Sequence, residues 1–158
     1  MKKNNLLKLI ISIALPLLAG FIGSYFTTPA IGGWYAELQK PALNPPNWVF
    51  APAWTTLYIL MGVAFFMVWK KKDEARDFFC IVFIFVTQLF LNATWSIFFF
   101  GMENPALALF NIIFLLVAIL VTIKMFYRVS RAAAYLLLPY FLWVTFATYL
   151  NYQILVLN

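Results

Sequence analysis

Three sets of residues in this chain repeat at helical spacing and carry groups that could hold a ligand. Trp54 and Tyr58 are four apart; Gln88, Asn92 and Ser96 follow i, i+4, i+8 with Trp95 beside them; Trp143, Ala147 and Asn151 repeat the same spacing. Residues three or four apart share a helix face. The groups are indole and phenol rings, amides, a hydroxyl and one small residue that leaves room between two larger ones. Their chemistry is stacking and neutral hydrogen bonding, which suits a flat apolar ligand in a pocket with mostly apolar walls.

Other chemistry is missing. The chain has no His and a single Cys, Cys80. That removes the common zinc, copper and haem ligand sets and the His-dependent nucleophile arrangements, and it excludes an internal disulfide. No metal and no cofactor is expected. Cys80 is expected to be a small buried apolar residue. No carboxylate falls near the middle of an apolar run, whereas pumps keep ionisable residues at membrane depth. Five apolar runs also do not divide into two equal repeats. An energised transporter is therefore not expected.

The elements that must position these residues are membrane helices. Hydrophobic residues make up 65% of the 158 and charged residues 10%, far from the roughly 25% of a soluble domain. Between charges lie neutral runs at 9–36, 41–69, 78–102, 104–123 and 132–158, of 28, 29, 25, 20 and 27 residues. About 20 apolar residues cross a bilayer. The expected fold is an all-α membrane protein, one domain over 1–158, a bundle of five transmembrane helices at about 7–26, 49–69, 78–100, 105–125 and 133–156, with a loop at 27–48 (boundaries good to about 2–4 residues). A transmembrane barrel would alternate every other residue, and these runs do not. The first run starts like a signal peptide but is too long for one and has no Ala-x-Ala site after Phe26, so it counts as a helix.

Charge sets the expected orientation. Lys2, Lys3, Lys8, Lys70, Lys71, Lys72, Arg76, Lys124, Arg128 and Arg131 fall on one side of the five spans, and Lys40 alone on the other. Basic short loops stay cytoplasmic, so the N-terminus is expected inside and the C-terminus outside. The net charge of +6 reads as topology, with some attraction to anionic lipid, and not as nucleic-acid binding. The loop then lies outside. It is rich in Pro and aromatic residues, with Trp34, Tyr35 and Trp48, whereas disordered loops are poor in aromatics. It is expected to cover something.

Each feature also has a plainer use. The amides of Gln88 and Asn92 could bond neighbouring helices, worth about 0.6 kcal/mol each on average. Ala147 could mark a close helix contact. Trp48 and Trp69 could be interfacial anchors. Lys40 could be a solvated loop charge, or could meet an anionic group at a pocket mouth. Pro139 is expected to kink the last helix. Gly20-x-x-x-Ser24 is a small-residue pair that could serve a homodimer or packing within the bundle.

Taken together, Trp34-Tyr35, Lys40-Pro41, Asn44-Pro45-Pro46, Trp54, Leu57-Tyr58, Gln88-Leu89, Leu91-Asn92, Trp95-Ser96, Pro139-Tyr140, Trp143 and Phe146-Ala147 resemble the translocator protein family, also called tryptophan-rich sensory proteins or peripheral benzodiazepine receptors. The resemblance spans all five expected helices. It implies a five-helix bundle, often dimeric, binding porphyrins and hydrophobic drugs beneath the first loop, with a role in tetrapyrrole metabolism or stress. Carried over by position, the ligand-binding residues would be Tyr35, Trp54, Tyr58, Gln88, Asn92, Trp95, Trp143 and Ala147. Some bacterial relatives are linked to light-driven porphyrin breakdown, and the tryptophans concerned match Trp54 and Trp143. Animal relatives also bind cholesterol through a Tyr followed shortly by Lys or Arg. Here Tyr152 is followed by Gln-Ile-Leu-Val-Leu-Asn, which favours a bacterial-type member of the inner membrane over a sterol binder. The expected function is thus a porphyrin receptor or carrier, with light- and oxygen-dependent porphyrin degradation as the alternative.

Overall fold

The computed structural model describes residues 3–158. Of the basic residues assigned above to one side, Lys2 and the Lys3 side chain fall outside the described set. Among the described residues, five helical segments are long and apolar enough to span a bilayer, Asn4–Ile31, Asn47–Lys70, Phe78–Gly101, Pro105–Val129 and Arg131–Leu157. In chain order the helices are α1 (Lys3–Ile31), α2 (Trp34–Glu37), α3 (Asn47–Lys70), α4 (Phe78–Ser96), α5 (Pro105–Val129), α6 (Arg131–Leu136) and α7 (Leu138–Leu157).

Local sequence explains where they start. Asp77 and Asn104 cap α4 and α5, accepting from the amides of Cys80 and Leu107, and Pro105 takes the first position of α5, where its missing N–H costs nothing. Ser130 ends α5 and caps α6. The last span breaks at Leu137, two residues before Pro139, as a proline kink requires.

Three expectations need correction. The first helix runs to Ile31, beyond the expected 26: no charge interrupts residues 27–31, and Thr27 Oγ1 satisfies itself within the helix by donating to the Gly23 carbonyl at 2.9 Å. The expected loop 27–48 shrinks accordingly and itself contains α2. Cys80 is exposed, not buried: it sits in the first turn of α4, where its thiol donates to Asp77 Oδ2 at 3.1 Å while its amide donates to Asp77 Oδ1. These two bonds, the thiol's first, hold the Asp77 carboxyl below its usual range.

The five spans form a closed ring in the order α3, α1, α4, α5, α6/α7 and back to α3. The end carrying Lys8, Lys70, Lys124 and Arg131 (the basic end) is solidly packed. Phe65 stacks on Phe85 at 4.4 Å and 4°, with Phe126 at 5.8 Å from Phe85. Ala133 and Ala134 of α6, both buried, bring α6 against α3. Close approach also depends on Gly62, where an added Cβ would stand 2.6 Å from the Ile13 Cα of α1. At the other end, beneath the residue 32–46 connection, α3 packs on α7 only sparsely. The helices part there, and a cavity opens.

Candidate functional site

The cavity has a volume of about 400 Å³ and is lined by α1, the connection, α3, α4 and α7; α5 contributes nothing to it. That volume lies in the range of small-molecule sites. Among the described residues, no charged side chain lines it.

Its walls are tryptophans and tyrosines held against one another. Trp54 stacks on Tyr58 at 5.6 Å and 25°, as their four-residue spacing predicts. Trp143 meets Trp54 edge to face at 6.5 Å, and Phe50 and Phe146 pack on Trp143 at 6.2 and 6.0 Å. Trp95 stacks on Phe99 at 5.3 Å. The end of α4 widens into a π-helical turn over Ile97–Gly101, and both Phe99 and Phe100 line the cavity. Such turns interrupt the helical register and cluster at functional sites.

The polar groups fix the walls. Tyr58 Oη donates to Asn92 Oδ1 at 2.7 Å, and Asn92 Nδ2 donates to Tyr140 Oη at 3.1 Å. One buried amide thereby ties α3, α4 and α7 together at the cavity floor. Trp95 Nε1 donates to Asn151 Oδ1 at 3.0 Å, and Asn151 Nδ2 donates to the Pro105 carbonyl at 2.8 Å. Trp143 differs: its Nε1 is buried with no hydrogen-bond partner among the described residues. Its ring is held by packing alone.

The roof is Tyr35 of α2. It is buried, and its hydroxyl donates to Asn44 Oδ1 at 3.1 Å. Burial raises its pKa above the usual tyrosine value, against the opposing effect of the Asn44 bond. Lys40 does not reach the cavity. Its Nζ lies 4.7 Å over the Tyr35 ring and donates to the Ala36 and Leu38 carbonyls at 3.3 and 3.4 Å, so it braces the roof instead of meeting a ligand. Phe21, Ser24, Thr28, Ala51 and Thr55 line the cavity and are exposed, which leaves the wall open between α1 and α3.

Seven of the eight candidate residues therefore share one cavity: Tyr35, Trp54, Tyr58, Asn92, Trp95, Trp143 and Ala147. Gln88 does not line it. It lies one turn further from the loop on α4, buried, with its Nε2 donating to Met61 Sδ at 3.7 Å and its Oε1 unpartnered. Face periodicity places Gln88 under Asn92 but says nothing about where the cavity floor falls. Trp48 is 75% exposed and stands on the outer surface, as an interfacial anchor would.

Sequence reasoning missed the α1 wall. Gly20, Gly23 and Thr27 line the cavity, and an added Cβ on Gly20 would collide with the Tyr58 ring. The small residue at position 20 thus serves packing within the bundle. Phe50, Phe146 and Leu150 were also not singled out as lining. Asn151, grouped with Trp143 and Ala147 by its spacing, does line the cavity, and Phe146 sits three residues from Trp143, where a wider reading of the α7 face would have found it.

The fold and the site define an integral multi-pass membrane protein with an uncharged aromatic cavity at one end of a five-helix bundle. A family profile described as the TspO/MBR family matches residues 12–157, and the chain belongs to that family. It is 45% identical over 156 residues to the tryptophan-rich protein TspO of Archaeoglobus fulgidus, covering 98% of this chain and 99% of the relative. The TspO of Chlorobaculum tepidum is also 45% identical, over 98% of each chain. The human translocator protein is 39% identical over 138 residues, 87% of this chain and 82% of the relative.

Proposed function

We propose that this protein is a membrane receptor or carrier for porphyrins and similar flat hydrophobic molecules, with a regulatory role in tetrapyrrole metabolism or stress. The carrying observation is the cavity itself: about 400 Å³ of uncharged space between Trp54, Trp95 and Trp143, under the Tyr35 roof. Offset and edge-on contacts with such rings suit a planar ligand. The names of the relatives, translocator and sensory protein, point the same way. On this reading the protein sits in the inner membrane of a bacterium, with the basic end cytoplasmic and the roofed end outside; association into homodimers belongs to the same reading. The test is quenching of tryptophan fluorescence by protoporphyrin in lipid nanodiscs. Saturable quenching is expected, weakened at least several-fold in the Trp54→Phe, Trp143→Phe double variant. Affinity unchanged in that variant would sink the proposed site.

A second reading has its own observation. Trp54 and Trp143 meet edge to face at 6.5 Å in the cavity wall, where both would face a bound photosensitiser. Light- and oxygen-dependent porphyrin degradation needs no His or metal. It predicts catalytic bleaching in light that is lost when either tryptophan is replaced. Bleaching at the rate of free porphyrin in the same membranes would count against it.

A further inference from the structure

The roof is braced in two ways. Within the connection, Tyr35 bonds Asn44 and Lys40 caps the Ala36 and Leu38 carbonyls. These contacts fix the shape of the segment, not its place on the bundle. The α2 end is placed by apolar contact, with Trp34 against Phe99 at 5.7 Å and Tyr35 against Phe100 at 5.5 Å.

At the Gln39 end, Leu38 packs on the cluster of Tyr35, Phe99 and Ile154, and one side chain supplies the hydrogen bonds to α7. Asn158 Oδ1 accepts from the Gln39 amide at 2.9 Å, and Asn158 Nδ2 donates to the Gln39 carbonyl at 3.1 Å. The same Nδ2 donates to the Ile154 carbonyl at 2.9 Å, which anchors the carboxamide on the last turn of α7. A primary amide offers one acceptor and two N–H donors, and all three are in use here. Gln39 is bonded at both its N–H and its C=O, as a strand residue would be by a neighbour. Below this clasp, Ile154 is buried, lines the cavity and belongs to the same apolar cluster as Tyr35 and Phe99.

We propose that Asn158 is a positioning residue for the site: a clasp that fastens the Gln39 end of the roof to α7 and sets how long a ligand stays beneath Tyr35. This rests on the reading of the cavity as a ligand site. The clasp bonds are exposed, and each exposed hydrogen bond contributes little net stability. Local opening at such a place occurs far more often than global unfolding. A clasp of this strength closes the roof without sealing it, which suits a protein that must both hold and exchange its ligand.

The experiment uses the full chain in nanodiscs and measures two quantities. The first is hydrogen exchange at the Gln39 amide, which needs no ligand. Asn158→Ala should speed it about ten-fold. Asn158→Asp keeps the acceptor for the Gln39 amide and loses both donors, so it should fall between. The second is the dissociation rate of protoporphyrin, followed by recovery of tryptophan fluorescence. It should rise about five-fold in Asn158→Ala and less in Asn158→Asp. Unchanged exchange at Gln39 overturns the clasp. Faster exchange with an unchanged dissociation rate overturns its role in retention and assigns ligand exchange to the opening between α1 and α3. Failure of the parent protein to bind protoporphyrin overturns the cavity reading, and the retention role with it, while the Gln39 measurement still decides the contact. Asn158 lies at an exposed helix end, and unchanged exchange across α3–α5 shows that the bundle is intact.

Discussion

The two ends of the bundle are built from the same materials and reach opposite results. At the basic end Phe65, Phe85 and Phe126 lie nearly parallel and fill the space between α3, α4 and α5. At the loop end Trp54, Trp95, Trp143 and their neighbours meet mostly edge to face and leave about 400 Å³ unfilled. The difference lies in what accompanies the rings. Small buried residues, Ala64, Ala133 and Ala134, let the helices close at one end. At the other, two-ring side chains face each other across α3 and α7, and an indole is too large to let the backbones approach. Without a hydrophobic force between helices in lipid, packing of this kind decides where a bundle closes. One end is spent on stability and the other on a cavity.

The largest break in that comparison should come from Phe85→Ala. Phe85 is fully buried between two stacked rings, and truncating such a residue costs about 3–5 kcal/mol. Thermal unfolding in detergent should show the loss, while protoporphyrin affinity of the folded fraction stays near the parent value. A large drop in affinity with intact folding would mean the two ends are not independent.

Asn92→Leu comes next, because Asn92 belongs to both functions. It leaves the Tyr58 hydroxyl without its acceptor and the Tyr140 hydroxyl without its donor. A buried group left unpaired costs about 1–3 kcal/mol. Stability and ligand affinity should therefore fall together, and loss of either alone would show that the floor of the cavity is not shared in the way the bonds suggest.

Trp143→Phe should cost less than about 1.5 kcal/mol of stability. Its Nε1 has no partner to lose, in contrast to Trp95, whose Nε1 is bonded to Asn151. Ligand affinity should nonetheless fall up to about ten-fold, the worth of one aromatic contact. Trp95→Phe is the sharper companion. It strands the Asn151 carbonyl oxygen, so its stability cost should exceed that of Trp143→Phe in the same unfolding assay.

How much of this was legible beforehand follows from what periodicity can carry. The faces of α3, α4 and α7 were visible because Trp54/Tyr58, Asn92/Trp95/Ser96 and Trp143/Ala147 repeat every three or four residues. Depth was not, so Gln88 was grouped with Asn92 although the floor lies between them. The α1 wall was hidden because Gly20 and Gly23 carry no chemistry of their own and matter only through what lies opposite. The Asn158–Gln39 clasp joins residues 119 apart, and no local pattern announces it.

Response to pH separates the two ends by the least effect but in opposite directions. At the loop end, burial raises the Tyr35 pKa, so the folded protein holds that proton more tightly than the unfolded chain does. Its contribution is complete below the usual tyrosine value near 10 and is lost as pH rises through the raised one. At the basic end, the bonds from Cys80 lower the Asp77 pKa, so its capping of α4 is present above the usual carboxylate value and is lost as pH falls through the lowered one. The chain has no His to titrate between these limits, and no charged residue among those described lines the cavity. Affinity for a neutral flat probe such as protoporphyrin dimethyl ester should accordingly be level from about pH 5 to pH 9. Measured as protection relative to the intrinsic exchange rate at each pH, the first turn of α4 should loosen only under acid, and the segment around Tyr35 only under strong alkali. An inflection in probe affinity near neutral pH would require a group in the site that titrates there, and the reading of the cavity end as uncharged across this range would fail.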